Sequence, residues 1–336
     1  MRLIDELVAR LGARDPMFTS GWGDRHDLEA IVSGGLFVPD DAAAPAVKRT
    51  PARSRFVGAR AFDLAFPSPA TSLPPEVSTA TVRHIEPLRP REERAAVVVL
   101  AASREEGSGL REAIWSKLAT DDGVDVFLLE NAYYGSRRAR GQRSASLPTV
   151  VDQLRMNLAT LVEVDALLSH FAKERFARTA VTGFSMGGAM AALAGAVLRR
   201  SFAVVPMAAT IRPATIYTEG LLSRSVAFEA LAVDGRVVDA RGRLAEVLDV
   251  ADLSRLEAPV CRAATVVVGC TVDGFVAREG TVALAEHWGA ELRWVRGGHV
   301  SALFSGRRAM RRAVLDAIER LPTPVDQARH VRMASP

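Results

Sequence analysis

Residues 179–198 read TAVTGFSMGGAMAALAGAVL, and this stretch decides the fold class. It begins as a β-branched apolar run and ends as a helix-like segment rich in alanine and glycine. Between the two lies GFSMG at 183–187, which has the pattern G-x-S-x-G. A strand, a tight turn with a central serine and a helix, in this order, form a nucleophile elbow whose glycines leave room for a strained serine backbone. The stretch therefore predicts that Ser185 is a nucleophile at the edge of a sheet.

Apolar runs alternate with segments of helical periodicity from residue 95 onward. Most runs are hydrophobic nearly throughout, as strands covered on both faces should be. We therefore predict an α/β fold with a mostly parallel central sheet and helices on both faces. The predicted strands are 95–102, 124–130, 179–184, 201–208, 264–270 and 291–297, and the predicted later helices are 149–175, 281–289 and 305–320.

Two further side chains follow the elbow in the order that a serine hydrolase needs. A serine hydroxyl becomes reactive when a histidine takes its proton and a carboxylate orients that histidine. Asp273 follows the predicted strand 264–270, and His299 follows the strand at 291–297, which matches the order Ser, acid, His of an α/β-hydrolase. We predict the triad Ser185, Asp273 and His299. The alternative is that Asp273 is a turn residue and His299 lies at the start of a helix.

Other parts of the chain fit around this core. Prolines make the strands near 55–66 and 81–88 antiparallel or edge elements. The segment 209–262 shows no clear strand and is predicted to be a helical cap insertion; its acids, Asp252 among them, do not follow a strand. We divide the chain into an N-terminal helical extension, 1–54, and an α/β-hydrolase domain, 55–336.

Several strings in the chain have no general hydrolase explanation. They are FTSGWGDRHDLEAI at 18–31, FPSP at 66–69, LLENAYYGSRR at 128–138, GFSMGGAMA at 183–191, YTEGLLSRS at 217–225, VDGFV at 272–276 and GGHVSALF at 297–304. Together they resemble the alpha/beta-hydrolase domain-containing protein 18 family over nearly the whole chain. The resemblance implies an α/β-hydrolase fold with Ser185, Asp273 and His299 as the triad, and it implies little about the substrate.

The oxyanion hole is the part of the site where the sequence departs from that family. The backbone N–H of Met186, directly after the nucleophile, is the first predicted donor. The second is expected between Ala101 and Ser103, with Ala102 as the candidate. This loop, LAASREEGSG at 100–109, lacks the histidine that tends to occur there in the family. Since losing one donor typically costs roughly 10²–10³ in turnover, weak activity is compatible with this loop.

The composition argues against several other functions. The net charge is +4, and only three of the 43 basic residues are lysines. Because the arginines are scattered along the chain, no nucleic-acid partner is expected. No metal, dinucleotide or nucleotide motif occurs, so we expect no cofactor and no metal. Cys261 and Cys270 lack the spacing of a metal site or a disulfide scaffold and are expected to be buried, inert thiols.

The remaining expectations concern location and the pocket mouth. The start, MRLIDELVARLGARD, places Asp5 and Glu6 where a signal peptide has its apolar core, so we predict a short amphipathic helix and a cytoplasmic protein without a transmembrane segment. The basic loop 137–143 follows a strand on the serine's edge of the sheet. Its arginines are able to attract an anionic group, but a solvated loop is the simpler interpretation; Tyr133 and Tyr134 are expected to line this rim.

We therefore predict a serine hydrolase that cleaves a carboxylic ester, lipid esters included, through an acyl-enzyme. Two alternatives remain open. The same triad serves an acyltransferase when an alcohol acceptor replaces water, and a protein with this fold that has lost turnover would be a binding protein. The sequence does not name the acyl group or the oligomeric state.

Overall fold

The computed structural model describes residues 2–36, 38, 43–232 and 237–322. The strands are β1 Lys48–Ala52, β2 Ala59–Pro67, β3 Thr79–Pro87, β4 Ala95–Leu100, β5 Asp125–Leu129, β6 Arg178–Phe184, β7 Ala203–Met207, β8 Val266–Cys270 and β9 Glu291–Val295. The helices are α1 Arg2–Gly12, α2 Arg25–Gly34, α3 Gly109–Thr120, α4 Val150–Lys173, α5 Met186–Val197, α6 Ala214–Thr218, α7 Phe228–Leu231, α8 Val237–Leu248, α9 Arg278–Trp288, α10 His299–Ser305 and α11 Arg307–Glu319.

The strands form one sheet that is parallel in its larger part. Its order is β1-β2-β3-β5-β4-β6-β7-β8-β9, and all pairs from β5 to β9 are parallel. The first three strands pair antiparallel with one another, and β3 joins β5 antiparallel as well. This arrangement confirms the predicted mostly parallel sheet and the antiparallel character of the two early strands.

Strand β4 shows why the parallel strands are apolar throughout. Its side chains alternate between two cores: Val97 and Val99 pack in the layer of α3 and α11. Ala96, Val98 and Leu100 pack in the layer of α4, α5 and α9 on the opposite face. Since successive side chains of a strand point to opposite faces, a sheet between two helical layers needs hydrophobic residues at every position.

Strand β1 was not predicted from the sequence. It pairs with β2 along its whole length, so residues assigned to a helical extension include an edge strand. Four of its five residues are exposed, and Pro51 lies within it, which explains why no apolar pattern marks it. The division of the chain at residue 54 stays a prediction.

The described part of the segment between β7 and β8 contains short helices joined by irregular stretches. It holds α6, α7, α8 and several short 3-10 turns, and none of its described residues forms a strand. Within the described parts of the chain, no helix has both the length and the apolar character that a bilayer span requires.

The basic loop after β5 contains one arginine that belongs to the core. Arg137 is only 2% exposed and forms a two-pronged ion pair with Glu163 of α4, at 2.7 and 2.8 Å. It also donates to the carbonyls of Val77 and Glu130. The expectation of a solvated or anion-attracting loop is therefore wrong for this residue, because its guanidinium is fully engaged inside the protein.

We expect Arg137→Ala to lower the free energy of unfolding by about 3–5 kcal/mol, because it leaves Glu163 buried without its cation. Urea denaturation monitored by circular dichroism measures this change. Arg140→Ala, an exposed position in the same loop, is the control and should stay within about 0.5 kcal/mol of wild type. Equal denaturation of Arg137→Ala and wild type would show that the buried pair does not hold this loop.

Candidate active site

The elbow predicted from the sequence is present at Ser185. Strand β6 ends at Phe184, helix α5 begins at Met186, and Ser185 between them has φ 59° and ψ −121°. A Cβ atom at Gly183 would lie 2.4 Å from the backbone of Gly187, and one at Gly187 would lie 2.4 Å from the carbonyl oxygen of Leu100. Only glycine fits at these two positions, so the G-x-S-x-G pattern is explained by backbone packing.

The predicted acid and base are hydrogen-bonded to each other. Asp273 lies just beyond β8, and its two carboxylate oxygens are 2.8 and 3.0 Å from Nδ1 of His299. Its Oδ1 also accepts the backbone N–H groups of Phe275 and Val276, at 2.8 and 2.9 Å. Since a carboxylate only accepts hydrogen bonds, Nδ1 of His299 is the donor in this contact, and in the neutral imidazole Nε2 is the acceptor.

The imidazole lies beside the elbow and is shielded from solvent. The ring centroid of His299 lies 4.9 Å from that of Phe184, the residue before Ser185, and 5.0 Å from that of Phe275. The hydrogen bonds among the described residues do not include one between the Ser185 hydroxyl and His299. Nucleophile–base hydrogen bonds are often long until substrate is bound. The Asp273–His299 hydrogen bond and the elbow therefore lie side by side.

The simpler interpretation of the two residues also describes real features. Asp273 closes a turn through its own side chain, and His299 is the first residue of α10 rather than a loop residue. These structural features fix the backbone on both sides of the Asp273–His299 hydrogen bond. The turn after Asp273 and the start of α10 at His299 therefore hold the two side chains in place relative to each other.

The loop expected to provide the second oxyanion donor is closed by a carboxylate. The N–H of Ala102 donates to Oε2 of Glu105 at 3.1 Å. The other oxygen of Glu105 accepts from Nε of Arg111 at 2.8 Å, and Arg111 in turn donates to the carbonyls of Val99 and Leu129. The Glu105 carboxylate therefore already accepts the N–H of Ala102, the predicted second donor. Arg111 links this carboxylate to the ends of β4 and β5.

Two polar side chains approach the side chain of Met186, the residue whose backbone N–H is the other predicted donor. The hydroxyl of Tyr134 and the amide of Gln153 lie 3.9 and 4.0 Å from its sulfur. Tyr217, from the segment between β7 and β8, donates its hydroxyl to Gln153 at 3.3 Å. Burial raises the pKa of both tyrosines, so their hydroxyls stay neutral.

Gln153 and Tyr217 were not predicted from the sequence to lie at this site, and Tyr133 and Tyr134 are buried rather than on an open rim. A signal existed for Tyr217, because it lies in one of the strings that carried the family resemblance. No spacing rule connects Gln153 with the elbow, since it is one polar residue on an otherwise ordinary helix face.

Two further sets of reactive side chains are candidate sites: the Cys270 thiol and a cluster of acids with one histidine on and before α2. Burial, and then the neighbouring Asp273 carboxylate, raises the pKa of the Cys270 thiol, which keeps it protonated. Among the described residues, one group has metal-ligand spacing: Asp24, His26 and Asp27. Asp24 caps α2 through the N–H of Asp27, and the carboxylate of Asp27 pairs with Arg155, so both carboxylates already have structural partners.

The mostly parallel sheet, the strained serine between β6 and α5, and the order of Ser185, Asp273 and His299 define an α/β-hydrolase fold. The chain matches the family described as alpha/beta hydrolase domain containing 18 over residues 15–241 and 235–320. It therefore belongs to this family, which confirms the resemblance found in the sequence.

Solved structures of esterases share this fold. Acetyl xylan esterase 1 from a Thermoanaerobacterium species is 13% identical and aligns with a TM-score of 0.56, covering 90% of this chain and 97% of the esterase. The acetyl xylan esterase of a Paenibacillus species is 14% identical, with a TM-score of 0.52 and the same coverage of both chains. At such identities the likeness speaks for the fold, and family membership makes the function hydrolase-like.

Proposed function

We propose that this protein is a serine hydrolase that cleaves a carboxylic ester through an acyl-enzyme. The observation that carries the proposal is the Asp273–His299 hydrogen bond beside a strained serine at the head of α5. Ser185 is the nucleophile, His299 the general base and acid, and Asp273 the residue that fixes the histidine tautomer.

The chemistry follows from which atoms can take and give a proton. The Ser185 oxygen attacks the acyl carbon while Nε2 of His299 takes the hydroxyl proton, and the Met186 N–H stabilises the oxyanion. The tetrahedral intermediate breaks its bond to the alcohol, which leaves with the proton from His299. Water then attacks the acyl-enzyme with His299 as the base, which releases the acid and frees Ser185.

The contact between Ala102 and Glu105 favours one rival to this proposal. If Ala102 is the second oxyanion donor, the Glu105 carboxylate must move away from its N–H before an oxyanion can bind there. A protein in which this contact persists would keep the fold and the acid–base pair but hydrolyse slowly. A hydrolase-like binding protein is therefore the second candidate function.

The preference for an ester is an analogy with the family and the fold, since a serine, histidine and aspartate triad is able to cleave esters and amides alike. The two structural neighbours are esterases by name, which fits the proposal without naming an acyl group. Lipid esters are included in the proposed class, and a cytoplasmic location is proposed from the sequence alone.

A fluorophosphonate probe tests the proposed function. We expect the wild-type protein to be labelled with one probe per chain, on Ser185, because the probe reacts with an activated serine. His299→Ala should fold and lose this labelling. Labelling and thermal unfolding are followed by mass spectrometry and circular dichroism.

The same preparation separates the rival functions. Folded wild-type protein that stays unlabelled would contradict the enzyme and favour the binding protein. For labelled protein, a panel of acyl esters of graded length identifies the preferred acyl group. Product analysis with and without added alcohols distinguishes hydrolysis from acyl transfer.

A further inference from the structure

The carboxylate of Asp5, near the start of the chain, is buried against the two loops that hold the acid–base pair. Its Oδ2 accepts the backbone N–H of His299 at 2.8 Å and that of Gly274 at 3.0 Å. Its Oδ1 accepts the N–H of Val300 at 2.9 Å. Asp5 is 0% exposed, and no cation among the described residues pairs with it. Three backbone donors therefore satisfy this buried charge.

Helix α1 is held in an unusual orientation by these bonds. Its inward face is made of Asp5 and Ala9, whereas Leu3, Leu7 and Leu11 are 82%, 58% and 51% exposed. Burying those leucines would be the ordinary reason for an amphipathic helix to pack on a domain. Here the large apolar side chains point outward, so polar contacts fix the helix at this place. Arg224 pairs with Glu6 and Arg104 donates to the carbonyl of Gly12, and the Asp5 hydrogen bonds are the contacts that join the helix to the Asp273 and His299 loops.

One oxygen atom joins the two loops that matter for catalysis. The N–H groups that meet at Oδ2 belong to His299, the proposed base, and to Gly274, which follows the proposed acid Asp273. Gly274 permits this approach, because a Cβ atom there would lie only 3.1 Å from the Cβ of Asp5. The first N–H groups of α10 have no partner within the helix, and Asp5 supplies an acceptor for them.

We propose that Asp5 is a positioning residue of the active site: it sets the distance between the Asp273 and His299 loops and thereby aims the imidazole at Ser185. This inference rests on the proposed serine hydrolase. Asp5 reaches only backbone N–H groups of the triad loops, so it acts through the base and not on the substrate. A misplacement of about 1 Å in such a group can lower turnover roughly 10²-fold.

The kinetic test compares three substitutions. We expect Asp5→Ala to lower kcat by about 10²-fold with KM within about twofold of wild type, since substrate contacts remain. Asp5→Asn should lose less, because its amide oxygen is able to keep the two donors at Oδ2 while its NH₂ group faces Val300. Glu6→Gln is the matched control on the same helix; Glu6 pairs with the exposed Arg224, and its loss should leave kcat unchanged.

Counting the active sites separates positioning from simple stability. The fluorophosphonate titrates the fraction of molecules with a reactive Ser185, and kcat is expressed per titrated site. A positioning role predicts full titration and a lower kcat per site. A purely structural role predicts fewer sites with the wild-type kcat, and that result would overturn the proposal.

Hydrogen exchange keeps the test independent of the proposed function. In Asp5→Ala, the amides of Gly274, His299 and Val300 should exchange on the order of 10-fold faster, while those of β8 keep their protection. This readout applies even if the wild-type protein is not labelled and the hydrolase proposal fails. Unchanged protection of the three amides would show that Asp5 does not hold these loops.

Discussion

Ser185→Ala should lower kcat/KM on a short acyl ester by about 10⁴-fold or more, with little change in thermal unfolding. The loss is large because no other group at the elbow can form the acyl-enzyme. The fold should survive for a structural reason. Alanine keeps the same Cβ at φ 59°, so the backbone strain is unchanged, and among the described residues the Ser185 hydroxyl makes no hydrogen bond that the substitution would break.

The measurement requires both ester hydrolysis and an unfolding curve. Wild type and Ser185→Ala are compared at equal folded concentration, with the fluorophosphonate probe as an independent count of reactive serines. Ester hydrolysis retained by a folded Ser185→Ala protein would mean that the nucleophile is another residue, and the assignment of the elbow as a catalytic site would have to be abandoned.

The elbow and the parallel strands could be predicted because their causes are local in sequence. Gly183 is required by the backbone of Gly187 four residues away, and Gly187 by the carbonyl of Leu100 at the end of the neighbouring strand β4, so both requirements fall within one five-residue pattern. The continuous hydrophobicity of β4 reflects burial on both faces and needs no partner to be recognised. Asp273 and His299 could be proposed from their place after strands, since parallel strands bring their carboxyl ends to one edge.

The contacts that the sequence did not reveal join residues far apart in the chain. Asp5 accepts a hydrogen bond from His299, which lies 294 positions further along the chain. From the sequence alone, an aspartate on a short amphipathic helix would be expected to be exposed to solvent. Arg137 occurs in an arginine-rich loop, and only the three-dimensional structure shows that it forms a buried ion pair with Glu163. In the sequence, such charged residues look like ordinary surface residues. Their burial could not be predicted, because it depends on a partner that is distant in the chain.

Asp273→Asn is the substitution that tests the acid most sharply, because the structure fixes how the new amide will sit. The N–H groups of Phe275 and Val276 both donate to Oδ1, so the asparagine oxygen should take that position. The NH₂ group then replaces Oδ2, 2.8 Å from Nδ1 of His299. An NH₂ group donates, so the shorter of the two contacts requires Nδ1 to become the acceptor, in competition with the amide oxygen 3.0 Å away.

The opposite tautomer places the imidazole proton on Nε2, which then cannot take the proton of Ser185. We expect kcat to fall by about 10⁴-fold at neutral pH, with the turn and the fold retained. Asp252→Asn is the matched control, since Oδ1 of Asp252 also closes a side-chain turn, through the N–H and hydroxyl of Ser254. It lies between β7 and β8 and should leave kcat unchanged. Steady-state kinetics and thermal unfolding of both variants decide the matter: a comparable kcat in the two folded proteins would remove Asp273 from the catalytic machinery.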